Sequence, residues 1–155
     1  MTIASDMLPY RERLIPGPGL FTALLLVVPG VSLVMLPIAS ELAVPVAVVI
    51  YALLVGTFLL LSPSLRVEGG RLTAGRASIP VDQLGSVELL GVEALRLAIG
   101  PGNDARNFLL VRGWIHRGVR IENIDPADPA PYWVLTTRHP EKLARSIEAA
   151  RSNAG

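Results

Sequence analysis

The sequence contains no cysteine, which removes disulfides, thiol nucleophiles and cysteine-ligated metals and leaves the redox compartment open. Lysine is almost as scarce, since Lys142 is the one basic residue of fourteen that is not arginine. Charged residues make up only 17% of the chain and the net charge is +1, so no field of one sign points to nucleic acid or an acidic substrate. Histidine occurs twice, at His116 and His139, without the HExxH spacing that would place two imidazoles on one helix face. The glycines at 100 and 102 precede no Lys-Ser/Thr, which excludes a phosphate-binding loop of the Walker type.

Charge is most conspicuously missing from Leu20 to Leu61, where Glu41 is the lone charged residue. Each half of this stretch has about the ~20 residues needed to cross a bilayer as a helix. A single helix would bury Glu41 and overrun the hydrocarbon. Two helices, about 20–38 and 42–61, instead leave Pro37-Ile38-Ala39-Ser40-Glu41 as a turn at the far surface, where the carboxylate stays hydrated. The run begins too late and continues too long for a signal peptide. Neither span carries the buried ionisable residue that marks pumps and proton relays. Pro29-Gly30 is expected to kink the first span, and Ala52 with Gly56 gives the second a small-xxx-small face.

Residues 1–19 read as a polar lead-in. Arg11 and Arg13 precede the first span, and Arg66, Arg71 and Arg76 follow the second, while the connection between spans has neither Lys nor Arg. This asymmetry predicts a two-pass protein of the cell membrane with both termini cytoplasmic. Tyr10, Phe21 and Phe58 are expected at the cytoplasmic interface, where aromatic rings favour the headgroup level.

Beyond Ser62-Pro63 the pattern becomes alternating. Leu65, Val67, Leu72 and Ala74 share one face and Arg66, Glu68, Arg71 and Thr73 the other, around a Gly69-Gly70 turn, which is a β-hairpin signature. Alternation continues through Ala77–Val81 and Leu84–Leu89, around an Asp82-Gln83 corner. A short helix is predicted over 92–99, then a loop, then strands over 108–111, 118–124 and 132–137. The chain closes on a helix with Pro140 in its first turn, an apolar stripe of Leu143, Ala144, Ile147 and Ala150, and a Glu141–Arg145 pair.

This order, carried by Leu65–Leu72, by Ile79-Pro80-Val81-Asp82-Gln83-Leu84 with Val87, and by Tyr132–Leu143, resembles a bacterial pleckstrin-homology-like domain. More closely, the chain from Tyr10 to about Arg151 resembles a family of uncharacterised actinobacterial membrane proteins with a Tyr-Arg-Glu-Arg lead, two membrane helices and an Asp-Pro-rich turn before Pro-Tyr-Trp. The resemblance implies an α+β fold, in which a transmembrane helical hairpin precedes a bent barrel of about seven strands, over 64–155, capped by the C-terminal helix. It implies no activity.

Candidate chemistry is sparse. His116, Asp125, Asp128 and Glu122 could be imagined as a metal or acid–base site, yet Asp125-Pro126 and Asp128-Pro129 read as turn formers, and His139 as the residue entering the helix. Ser62, Ser64 and Ser78 lack a nucleophile-elbow context. The sequence therefore predicts a protein that is not an enzyme and uses no cofactor or metal. Its expected role is a membrane-anchored interaction module, an accessory subunit whose partners are membrane lipids through the hairpin and another membrane protein. Trp114, Arg117 and Arg120 are its candidate binding surface. The alternative is a sensor of anionic-lipid headgroups using Arg66, Arg71 and Arg76, although Glu68 interrupts that cluster and three arginines fall short of a polybasic patch.

Overall fold

A computed structural model describes residues 9–155, so the first eight residues of the expected lead-in lie outside the described region. The chain is a mixed α+β protein in two compact units. One comprises Ile15–Ser62; the other joins the described residues up to Leu14 with Pro63–Gly155.

The apolar unit holds two helices long and apolar enough to cross a membrane, Pro18–Met35 and Ser40–Leu60, with mean hydropathies of 2.0 and 2.5. The first is interrupted as α1 (Pro18–Leu24) and α2 (Val27–Met35). Its break falls at Leu25–Leu26, one turn before Pro29. The proline has no N–H to give Leu25, and its ring crowds that carbonyl. The Val28 N–H bonds Leu25 O instead at 3.1 Å, tightening the backbone locally. A 3₁₀ turn at Ser40–Leu42 then leads into α3 (Ala43–Leu60), which packs along α2. The small residues at this contact are Ala43 and Ala47, both buried, and the Ser32 hydroxyl lies 3.5 Å from Ala43 O. The expected close approach at Ala52 and Gly56 does not occur: Ala52 is exposed, and a methyl at Gly56 would meet nothing within 4 Å. Helix α3 is apolar on every side, so its composition does not select the buried face.

In the second unit the expected hairpin forms as β2 (Ser64–Glu68) and β3 (Arg71–Ala74). Gly69 and Gly70 supply the two positive φ angles, +59° and +72°, that a tight two-residue turn requires. β4 (Ala77–Pro80) pairs with β3, and on the far side of β2 lies β1 (Tyr10–Arg13), giving the order β1-β2-β3-β4. The apolar hairpin is thus inserted between two paired strands of one sheet. Arg13 and Ser64 are Cα partners at the end of that ladder, and the Leu14 N–H bonds Pro63 O at 2.9 Å.

A second sheet contains β5 (Leu84–Leu90), β6 (Phe108–Leu110), β7 (Gly118–Asn123) and β8 (Tyr132–Thr136) in the order β5-β7-β8-β6, with β6 parallel to β8. The short helix α4 (Val92–Ile99) follows β5 and buries Leu95 and Ala98 with Leu90 and Val134. The two sheets are not hydrogen-bonded to each other, which corrects the expectation of a closed barrel. The Asp82-Gln83 corner is a 3₁₀ turn between β4 and β5 that takes the chain from one sheet to the other. One core joins the sheets. Leu65, Leu72 and Ile79 from the first meet Ile121, Trp133 and Leu135 from the second, and α5 (Pro140–Ala154) closes it with Leu143 and Ile147, as its apolar stripe predicts. Glu141 and Arg145 do not form the expected ion pair; the Arg145 guanidinium reaches Glu141 O at 3.4 Å.

Candidate functional site

The lead Tyr10-Arg11-Glu12-Arg13 is a strand, and period-2 alternation divides its roles. Tyr10 and Glu12 turn inward. Tyr10 is buried in the core rather than standing at a headgroup level, and its hydroxyl donates to Glu12 Oε2 at 2.6 Å while lying 2.9 Å from the Thr137 hydroxyl. Thr137, fully buried, also bonds Glu12, and the Arg138 N–H donates to Glu12 Oε1 at 3.0 Å. Burial pushes the Tyr10 phenol up, and the Glu12 carboxylate beside it reinforces the shift. This network ties β1 to the β8–α5 corner. Its residue types gave no apolar signal, so the sequence reading missed it.

Arg11 and Arg13 turn outward. Their Cα partners on β2 are Arg66 and Ser64, and the row through Arg11 and Arg66 continues to Thr73 and Ser78. A shallow cavity of about 460 Å³ on this face is lined by Ser64, Arg66, Glu68, Arg71, Thr73 and Gly75. Arg66 and Arg71 are therefore brought together as the alternation predicts. Arg76, exposed in the β3–β4 turn, does not line the cavity. The Arg71 Nε–H donates to Ser78 Oγ at 3.0 Å, and the Nε of Arg66 is buried without an acceptor.

The second predicted surface is divided. Trp114 and Arg117 line a smaller cavity of about 240 Å³ with Ile115, His116, Thr137 and Arg138. Trp114 packs against the core edge and its indole N–H donates to Leu14 O at 3.3 Å, whereas Arg117 is exposed. Arg120 is elsewhere: it pairs with Glu88 and its guanidinium stands 5.3 Å from the Tyr132 ring centroid.

His139 occupies the N-cap position of α5 without a side-chain capping bond, and its carbonyl accepts the Leu143 N–H at 3.0 Å. Asp125 and Asp128 accept the N–H groups of Ala127 and Ala130, each at 2.9 Å, which is the turn chemistry expected of them. Among the described residues no three His, Asp or Glu side chains converge in a metal-binding geometry. Asp104 and Arg106 form an exposed pair at 2.7 Å that lowers the Asp104 carboxyl to about 2, mainly through the guanidinium hydrogen bond.

A family model described as protein of unknown function (DUF3093) matches residues 9–147, from β1 into α5. No curated protein and no solved structure matches the chain.

Proposed function

The chain belongs to the DUF3093 family, and from that premise we propose that it is a membrane-anchored, non-catalytic interaction module with both termini cytoplasmic. The observation that carries the reading is the insertion of the apolar helices between β1 and β2. A chain that leaves a sheet at one strand and rejoins it at the hydrogen-bonded neighbour returns to the side it left, which suits a span-and-return hairpin. The outer surfaces of that hairpin agree. Leu26, Leu33, Ile38, Leu53 and Leu60 are each more than 60% exposed, and an apolar area of this kind needs lipid or another protein to cover it. The arginine asymmetry supplies the orientation. We read the second unit as an opened relative of the pleckstrin-homology-like barrel, with two sheets around one core and a C-terminal helix. It departs from that plan in the extra strand β1 and the parallel β6–β8 pair.

The module acts by contact, as an accessory subunit to another membrane protein. Its docking surface is the cavity around Trp114 and Arg117, because Arg117 is exposed there while Arg120 is occupied by Glu88. A reversed charge at this site, Arg117→Glu, leaves the Trp114–Leu14 bond in place and should abolish recovery of the partner from native membranes in mild detergent. Because the chain has no cysteine, a single Ser40→Cys variant can be labelled uniquely. Labelling of intact cells at that position is expected. Labelling only after lysis overturns the topology, and unchanged partner recovery with Arg117→Glu overturns the docking site.

A further inference from the structure

We propose that the outward face of the first sheet is a seat for a phosphate-type oxyanion, held between Arg11 of β1 and Arg66 of β2. Arg71, Ser64 and Thr73 complete it. Arg11 and Arg66 are direct cross-strand partners on the same face. Side chains so placed have Cβ atoms about 4.5–5.5 Å apart, and like charges at that separation destabilise a sheet. Among the described residues, no carboxylate forms an ion pair with Arg11, Arg66 or Arg71. Glu68 is the one acid lining the cavity, and it stands in register with Arg71, beyond the Arg11–Arg66 pair.

The buried Nε of Arg66 is a second unresolved cost, since a guanidinium N–H removed from water without an acceptor is unfavourable. One tetrahedral oxyanion answers both. Its charge offsets the opposed arginines, and its several oxygens can accept from the Arg66 Nε–H, from Arg11 and from the terminal nitrogens that Arg71 has left after bonding Ser78. The Ser64 hydroxyl adds a neutral donor at the wall of the same cavity, and the Thr73 hydroxyl, which donates to Ser78 Oγ across a long 3.4 Å, can turn its proton to the anion instead. Such an anion has two sources, a lipid phosphodiester or free phosphate. Arg66 lies four residues beyond Ser62, a chain reach of at most ~14 Å from the end of the apolar unit. Only the lipid source rests on the membrane reading given above; the arginine geometry does not.

The test uses the full chain purified in neutral maltoside micelles at low salt. Dioctanoyl-phosphatidylglycerol, inorganic phosphate and phosphate-free dioctanoylglycerol are titrated while thermal unfolding is followed by tryptophan fluorescence. A ligand held by the folded state raises the midpoint. Phosphatidylglycerol, phosphate or both should do so, and which of them acts identifies the source; dioctanoylglycerol should not. Arg66→Gln should weaken that response by roughly 10- to 100-fold, and Arg11→Gln likewise. In the absence of anion, Arg66→Gln should melt higher than the unsubstituted protein, because the opposed charges are relieved; a residue with a merely structural role would melt lower. Arg76→Gln should respond as the unsubstituted protein does. The proposal is overturned if neither anion moves the midpoint, or if the Arg11→Gln/Arg66→Gln double variant responds undiminished. Either failure leaves the Ser40 labelling result, and with it the membrane reading, intact.

Discussion

Replacing Tyr10 with phenylalanine isolates one hydroxyl in the β1 anchor. The ring remains in the core, so no large cavity forms. What is lost is the donor to Glu12 Oε2 and its contact with Thr137. A buried bond to a charged acceptor contributes about 1.5–3 kcal/mol, and Glu12 keeps the Thr137 hydroxyl and the Arg138 N–H, so the lower end, about 1.5–2 kcal/mol, is expected. With a urea dependence of about 1–2 kcal/mol/M, the unfolding midpoint should fall by roughly 1 M. Both tryptophans, Trp114 and Trp133, belong to the two-sheet unit, so fluorescence in micelles reports that unit and not the apolar helices. Alkaline pH supplies a second readout. The folded-state value of Tyr10 is raised, so its contribution is complete below the unfolded tyrosine value near ~10 and is lost as pH climbs from there toward the folded value, by up to ~1.4 kcal/mol per pH unit. Tyr10→Phe should lack this part of the alkaline slope, while Tyr51 and Tyr132 are common to both proteins. A midpoint change worth less than ~0.5 kcal/mol, or an unchanged slope, would refute the anchor.

Two further outcomes are expected. Joining Leu14 to Pro63 through a short turn, with residues 15–62 removed, should give a water-soluble protein with near-native tryptophan emission, whereas a chain beginning at Ser64 lacks β1 and should unfold at lower urea; equal stability of the two would show that β1 contributes nothing. In the loop after α4, nuclear magnetic resonance should find the Asp104 carboxyl titrating at about 2, so that its bond to Arg106 holds above the ordinary aspartate range and is lost as pH falls through about 2; Arg106→Ala should return the midpoint toward that range, and an ordinary value in the unsubstituted protein would contradict the pair.

Much of the architecture is legible because the physical signals are long or repeated. The long apolar run, broken only by Glu41, announces both apolar helices, and alternation through Leu65–Ala74 fixes which face of β2 and β3 carries arginine. The pair Gly69-Gly70 fixes the turn. What escapes is short or depends on distant partners. β1 has four residues whose inward pair is Tyr and Glu, and an inward glutamate reads as polar until Thr137 and Arg138 are seen beside it. The three-residue β6 gains its parallel partner only once β8 has been placed, and closure of a barrel depends on such pairings rather than on any local pattern. Arg66 and Arg71 were recognisable as neighbours from their spacing. Arg11 could not be added to them without the β1–β2 ladder, and Arg120 could not be separated from Trp114 and Arg117 without its ion pair to Glu88.

The placement of β1 ahead of the apolar helices also sets a timetable for synthesis. At about 5–20 residues per second, roughly fifty residues must be polymerised after β1 before its ladder partner β2 exists, an interval of about 3–10 s. The wait for the Tyr10 anchor is longer, because Thr137 lies 127 positions on. A lone strand presenting unpaired N–H and C=O groups is a template for the wrong partner throughout that time. Arg11 and Arg13, two positions apart and both solvent-facing, give the waiting strand a charge that discourages pairing with a second nascent copy. On the membrane reading, the intervening helices leave the ribosome for the bilayer during the same interval, so insertion precedes folding of the two-sheet unit. On that reading a defect in insertion would surface first as a misassembled first sheet, because its paired strands β1 and β2 flank the inserted helices.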